Sequence, residues 1–181
     1  GNIRRLKSYL DARRTKYPAL QEVALGLFPQ KTLERRIGET VDDTGQIKDD
    51  ASPELRRIRR NLLRIQGELR SRVMAELRRA EKEGFAADDQ PTIRNGRLVI
   101  PVKAEAKRKV TGFLHDVSAT GHTAYIEPAA VMELNNDLRE LETEERREIE
   151  RILRDVCAEL RTVAPEVLNS VETLGEFDFV L

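Results

Sequence analysis

Aromatic residues make up only 4% of this 181-residue chain and Trp is absent, so few large rings are available to anchor an interior. The hydrophobic share, 39%, is too low for a thick globular core and too high for a disordered tail. A single cysteine, Cys157, excludes an internal disulfide framework and a cysteine-based zinc site. It reads as a small packing residue beside a helix seam. No uninterrupted apolar run approaches the ~18 residues of a membrane span, and no signal peptide is visible. The expectation is a cytoplasmic chain without a membrane partner. No glycine-rich phosphate loop of the Walker type occurs. Gly1 stands where a Met would begin a whole protein, and the chain closes on Phe179-Val180-Leu181 inside an apolar pattern, which predicts a fragment of something longer.

What is present is charge, 35% of residues, with Glu, Arg, Leu and Ala prominent. That composition predicts long helices with narrow apolar seams. Ile3, Leu6, Tyr9 and Leu10 recur at helical spacing until Pro18 breaks or restarts the helix. Leu20, Val23 and Leu27 form a second short face, stopped by Phe28-Pro29, and Leu33 with Ile37 allows a turn or two more. Asp42-Asp43-Thr44-Gly45 is a turn signal between possible short strands at Val41 and Ile47. Ser52-Pro53-Glu54 is a strong helix start, with Ser as cap, Pro at the first helical position and an acid suited to the dipole. Leu55, Ile58, Leu62, Ile65, Leu69, Val73 and Leu77 then follow at steps of three and four, close to a coiled-coil seam, until Gly84. A second long helix is expected after Pro128, with the seam Val131, Leu134, Leu138, Leu141, Glu145, Ile149, Ile152, Val156 and Leu160. Pro165 closes or kinks it, and a further helix follows.

The net charge is zero, but it is unevenly spread. Residues 53–83 carry ten basic and five acidic side chains, and residues 129–163 carry six Arg and ten acids. Matched length, narrow seams and opposite charge predict that these helices pair antiparallel. The plainer reading is two solvated helices with unrelated partners. Glu145, at a seam position, should find Arg64 or Arg70. Between the helices, residues 91–128 read as strands: Thr92–Arg94, the hairpin turn Asn95-Gly96, Arg97–Ala104, Val110–Val117, a turn at Ser118-Ala119-Thr120-Gly121, and Thr123–Ile126. Leu98, Ile100 and Val102 alternate onto one face. Pro101 implies an unpaired edge or a bulge. The fold class is therefore mainly α: a coiled-coil arm of two long antiparallel helices capped by a small antiparallel sheet, with short helices at both ends.

This cap is basic. Arg94, Arg97, Lys103, Lys107, Arg108 and Lys109 face only Glu105, Asp116 and Glu127 in the same segment. Lys107-Arg108-Lys109 lies in the loop between the second and third strands. A loop of this kind can grip phosphates without reading bases, or can be merely a solvated turn. With Phe113 and Tyr125 the only rings here, duplex backbone contact is more natural than base stacking. His115-Asp116, Ser118 and His122 invite a catalytic reading that little supports. In a strand His115 and Asp116 point to opposite faces, and no nucleophile elbow or metal-spaced His pair accompanies them. Hydrogen bonds from Asp116, Ser118 and Thr120 to the turn backbone, with a positive φ at Gly121, account for these residues.

The run TIRNGRLVIPVKAEAKRKVTGFLHDVSATGHTAYIEPAAVMELNNDLRELETEERREIERIL resembles the middle of the second bacterial MutS paralogue, the branch that carries a C-terminal Smr domain, and DDTGQIKDDASPELRRIRR fits the point where its first lever helix begins. The resemblance covers about residues 40–155 strongly and the ends loosely. It implies residues 1–51 in a helical core, an outgoing lever at 52–84, a β clamp at 85–128, a returning lever at 129–164 and a return into the core at 165–181. It further implies a homodimeric parent whose two clamps close on double-stranded or branched DNA. ATP and Mg would be bound in an ATPase domain elsewhere in the parent, and the Smr domain would supply nuclease activity; this segment itself would hold no cofactor, no metal and no catalytic residue. The branch is associated with suppressing recombination, and members with stalled ribosomes, which leaves an arm contacting protein or rRNA as the alternative. Carried over by position, Lys103, Lys107, Arg108 and Lys109 match a backbone-contacting loop best. Ser118-Ala119-Thr120 is less serine-rich than the family pattern.

Overall fold

The computed structural model describes residues 2–180, without the side chains of 179 and 180. Gly1, Leu181 and those two side chains, on which the expectation of a longer parent rests, lie outside what is described. The described residues form helices α1 (Asn2–Asp11), α2 (Pro18–Ala24), α3 (Lys31–Thr40) and α4 (Pro53–Lys82), strands β1 (Thr92–Arg94), β2 (Arg97–Lys103), β3 (Gly112–Val117) and β4 (Thr123–Pro128), then α5 (Met132–Thr162) and α6 (Ala164–Val180). The chain is mostly helical with one four-stranded antiparallel sheet, order β1-β2-β4-β3. Among the described residues no helix is long and apolar enough to cross a membrane.

The contacts divide the chain into two compact units. One comprises the chain up to Leu55 and from Glu148 on. In it, Leu10, Ala24, Leu27 and Phe177 are buried together, with Ile3, Leu6, Leu20, Val23 and Leu174 packed against them. Pro18 opens α2, and Pro165 sits in the first turn of α6 instead of kinking α5, positions where a missing N–H costs nothing. Helix α2 already ends at Ala24, ahead of Phe28-Pro29. Asp42 Oδ1 accepts from the Thr44 and Gln46 amides and the Thr44 hydroxyl, Gly45 takes φ +86°, and Val41 bridges Ile47. Ser52 caps α4 as its sequence implies: its Oγ accepts the Leu55 amide at 2.9 Å and donates to Glu148 Oε1 at 2.6 Å. Glu148 is 8% exposed, and Arg151 grips both its oxygens at 2.7 and 2.8 Å. Those Arg151 hydrogen bonds, then the Ser52 hydroxyl and the Arg151 charge, outweigh burial and hold the Glu148 carboxyl at about 2.

The second unit is Arg56–Arg147. Its core joins Ile65, Leu69, Val73, Leu77 and Ala80 of α4 to Ile100, Val102, Ala124 and Ile126 of the sheet, and to Val131 and Leu134, with Leu138 and Leu141 packed against it. Burying each such Leu or Ile contributes roughly 1.5–3 kcal/mol. Every residue of the expected α4 seam is buried. The α5 seam fades: Val131, Leu134 and Ile152 are buried, Leu138, Leu141, Ile149 and Val156 are half-buried, and Leu160 is 39% exposed. Cys157 is exposed, not packed. Arg57 lies 3.7 Å from Glu144 and Arg59 2.7 Å from Glu145, so basic residues of α4 meet acids of α5 across the contact. The partner of Glu145 is Arg59, not Arg64 or Arg70. The pairing register puts those two farther along α4, where Arg64 pairs with Glu68 of its own helix.

Helix α4 ends in a Schellman turn: the Phe85 amide bonds Ala80 O, the Gly84 amide bonds Glu81 O, and Gly84 takes φ +75°. Asn95 and Gly96 have φ +52° and +72°, the pair of positive values that a two-residue hairpin requires. Pro101 pairs in register with Tyr125 without a bulge, and of the two expectations for it the edge is the one met. Its missing donor lies on the side of β2 where the ladder with β1 has ended and the 85–87 segment takes over, through Ala87 N to Pro101 O and Lys103 N to Phe85 O. The irregularity falls instead in β3, between Leu114 and Asp116, so that His115 has no partner in β4.

Candidate nucleic-acid interface

The six cations expected to face phosphates divide sharply. Arg97 is tied down: it donates to Glu127 Oε1 at 2.8 Å and to Asn136 Oδ1 at 2.6 Å. Glu127 is 1% exposed and would be untenable as a lone charge. It also accepts from Asn135 Nδ2 at 2.9 Å and lies 2.7 Å from His115 Nε2. Asn135 completes the joint: its amide accepts from Leu98 N at 3.1 Å and donates to Leu98 O at 3.2 Å. The β2–β4 pairing begins at Ile100, so the Asn135 side chain takes the place of a strand partner on that side for the Leu98 backbone. Sequence reasoning missed this network. Its only local signal was the Asn135-Asn136 pair at the start of a helix.

Arg94 is engaged as well. Its guanidinium stacks 4.1 Å from the Tyr125 ring centre, and Nε lies 3.3 Å from Asp116. The neighbouring Asn95 amide donates to His115 O at 3.2 Å. The bulge turns that carbonyl out of the ladder, and the β1–β2 hairpin tip uses it. Lys103 Nζ donates to Gly84 O at 2.9 Å, completing the end of α4. Lys109 lies 4.9 Å over the Phe85 ring yet stays exposed.

Lys107 and Arg108 are different. They follow a 3-10 turn, Ala104–Ala106, anchored by buried Ala106, and both side chains are exposed and make no ion pair or hydrogen bond among the described residues. The Ala106 carbonyl accepts the Lys109 amide at 2.8 Å, so the loop carrying the three cations is internally bonded rather than loose. This arrangement presents two free cations and a third half-engaged one from a fixed loop, a point-charge grip suited to phosphate oxygens.

The His115, Asp116, Ser118 and His122 group does not converge. His115 faces Glu127 and stacks edge-on against Phe113, Asp116 faces Arg94, and His122 is exposed. Ser118 Oγ accepts the Thr123 amide at 3.0 Å, Asp116 Oδ1 accepts the Val117 amide at 2.8 Å, and Gly121 has φ +73°, the turn roles expected of them. Thr120 contributes only a 3.4 Å contact to the Ser118 hydroxyl. Among the described residues no cluster of His, Cys, Asp and Glu could hold a metal.

Fold and surface define a mainly helical segment bearing a small sheet with a basic loop. No family model matches the chain. Among curated relatives it is 39% identical over 178 residues, 98% of its length, to Endonuclease MutS2 of Pelotomaculum thermopropionicum. It is 37% identical over 176 residues to the protein of the same name from Halalkalibacterium halodurans, and 43% identical over 162 residues to that from Latilactobacillus sakei, covering 97% and 90% of this chain. The chain spans 23%, 22% and 20% of the lengths of these three relatives, about a fifth. It is thus homologous to a segment of the second bacterial MutS paralogue, the family its motifs resemble.

Proposed function

We propose that this segment is the lever and clamp region of a MutS-like DNA-processing ATPase and that it grips nucleic-acid backbone without reading bases. In this reading α4 and α5 are the levers, residues 85–128 the clamp, and the loop Lys107-Arg108-Lys109 the contact. The observation that carries it is the pair of exposed, unpartnered cations Lys107 and Arg108 on a fixed loop. Cationic side chains on a backbone-fixed loop suit phosphate oxygens, which favours backbone contact over base readout. The relatives' name, an endonuclease, speaks of whole proteins about five times as long. For the parent of this chain we propose ATP hydrolysis and Smr nuclease activity in other domains, a homodimer, a cytoplasmic location and duplex or branched DNA as substrate, while the segment itself is not an enzyme.

The test is binding of the 181-residue chain to labelled duplex DNA across a salt series. Changing Lys107, Arg108 and Lys109 together to Ala should weaken all duplex sequences about equally and reduce the log–log salt slope by two to three units at most, at roughly 0.9 per lost phosphate contact. Isolated affinity should fall in the ~10⁻⁴–10⁻⁶ M non-specific range. If changes at Arg56 to Arg60 abolish binding while the loop variant binds normally, the clamp reading fails, and an arm contacting protein or rRNA becomes the better account.

A further inference from the structure

A second concentration of positive charge lies in the other unit, along α1 and the turn that follows it. Between Arg4 and Lys16 stand six basic residues and one acid, Asp11. Two of the six have structural partners: Arg4 lies 3.7 Å from Glu34, and Lys7 donates to Leu27 O at 2.5 Å. Arg5, Arg13, Arg14 and Lys16 are exposed and face no carboxylate among the described residues. Arg13 lies 4.0 Å over the half-exposed Tyr9 ring, and Lys16 5.2 Å over Tyr17. Arg5 stands in the first turn of α1, and the turn after the helix that carries Arg13, Arg14 and Lys16 is held in place. Lys16 N and Tyr17 N both bond Arg13 O, Arg13 N bonds Leu10 O, and Gln21 donates to the same Leu10 carbonyl.

We infer that Arg5, Arg13, Arg14 and Lys16 form a second nucleic-acid contact, separate from the loop after β2, that engages phosphate backbone. Three of the four are arginines, whose planar forks suit phosphate oxygens and whose weak hydration favours ordered contact. The aromatic faces beneath Arg13 and Lys16 restrict those cations and lower the entropy lost on binding. A lipid surface fits less well. The apolar residues of α1, Ile3, Leu6 and Leu10, are taken up by the cluster with Leu27 and Phe177, which leaves no apolar stripe to enter a bilayer. The plain structural account is that cations near a helix C-terminus complement its dipole, which affects stability and not binding.

The experiment compares the 181-residue chain with the variant R5Q/R13Q/R14Q/K16Q, using labelled duplex DNA and anionic phospholipid vesicles as probes. The expected result is at least a tenfold weaker Kd for DNA at low salt and a salt slope lower by roughly two to four units, at about 0.9 per contact. Arg14→Lys should retain most of the binding. If the quadruple variant melts early, the single variants R5Q and R14Q are read instead, and each should lower the slope by up to about one unit. An unchanged Kd and slope in a folded variant overturns the inference. So does loss of vesicle binding with DNA binding intact. Loss of DNA binding in the variant of the loop after β2 alone sinks this inference and leaves the clamp reading standing, and loss in the α1 variant alone does the reverse.

Discussion

The β1–β2 hairpin and the loop after β2 carry similar charge but use it differently. Arg94 and Arg97 belong to strands, and a strand places each side chain opposite a fixed neighbour. Arg94 meets Asp116 and the Tyr125 ring, and Arg97 meets Glu127. Lys107 and Arg108 follow a 3-10 turn, are exposed, and make no ion pair or hydrogen bond among the described residues. A count of basic residues therefore overstates the binding surface. The cations in the ladder hold the sheet together, and those in the loop remain available to a partner. Helix α4 shows an intermediate case, where Arg57 and Arg59 face acids of α5 while Arg64, Arg72 and Arg79 pair along their own helix.

The largest effect should come from the hairpin side of that contrast. Glu127→Ala removes the group that Arg97, Asn135 and His115 share, leaving buried polar atoms without partners. It should cost about 3 kcal/mol, measured by urea unfolding. Asp116→Ala removes the partner of Arg94, but with half of the Asp116 side chain exposed it should cost less than about 1 kcal/mol. Equal costs for the two would mean that Glu127 does not organise the sheet.

A buried carboxylate in the other unit extends the comparison to pH. Glu148 is held at about 2, below the ordinary carboxylate value near 4.3, chiefly by hydrogen bonds from Arg151. The unfolded chain therefore takes up its proton first as the pH falls. The contribution of Glu148 is complete above about pH 5 and disappears as the pH drops toward 2. It amounts to ~2 kcal/mol once the exposure of Arg151 is allowed for. Thermal melts between pH 7 and pH 2.5 should show this slope, and Glu148→Gln should flatten it. An identical pH profile in the variant would show that other carboxylates set it.

Much of the architecture was legible because it is written locally. Ser52-Pro53 marks a helix start, Gly84 a stop and Asn95-Gly96 a hairpin, and the α4 seam is a repeat that needs no partner to be seen. The Glu127 network was not legible, since it gathers residues 97, 115, 127, 135 and 136 from three strands and a helix, and no periodicity links them. Pro101 left two readings open, an unpaired edge or a bulge, and the choice between them depends on where the neighbouring strand ends. The partner of Glu145 needed the register between helices, which charge balance does not fix. In the candidate site, all six cations were named from sequence, but only the structure separates those with partners from those without.

The smallest stability effect should belong to the residues with the largest proposed role in binding. Arg59→Ala breaks a 2.7 Å pair in which both side chains are about a quarter exposed, and it should cost around 1 kcal/mol. Lys107→Ala with Arg108→Ala breaks no contact among the described residues, so unfolding free energy should change by less than about 0.5 kcal/mol. Relief of repulsion among three adjacent cations could even raise it slightly. Paired measurement of stability and salt-dependent binding on these two variants makes the contrast quantitative. The loop variant should lose binding and keep its stability, and the helix variant should lose stability and keep its binding. A loop variant that unfolds as easily as Arg59→Ala would mean that Lys107 and Arg108 are structural after all, and the distinction between the two kinds of cation would collapse.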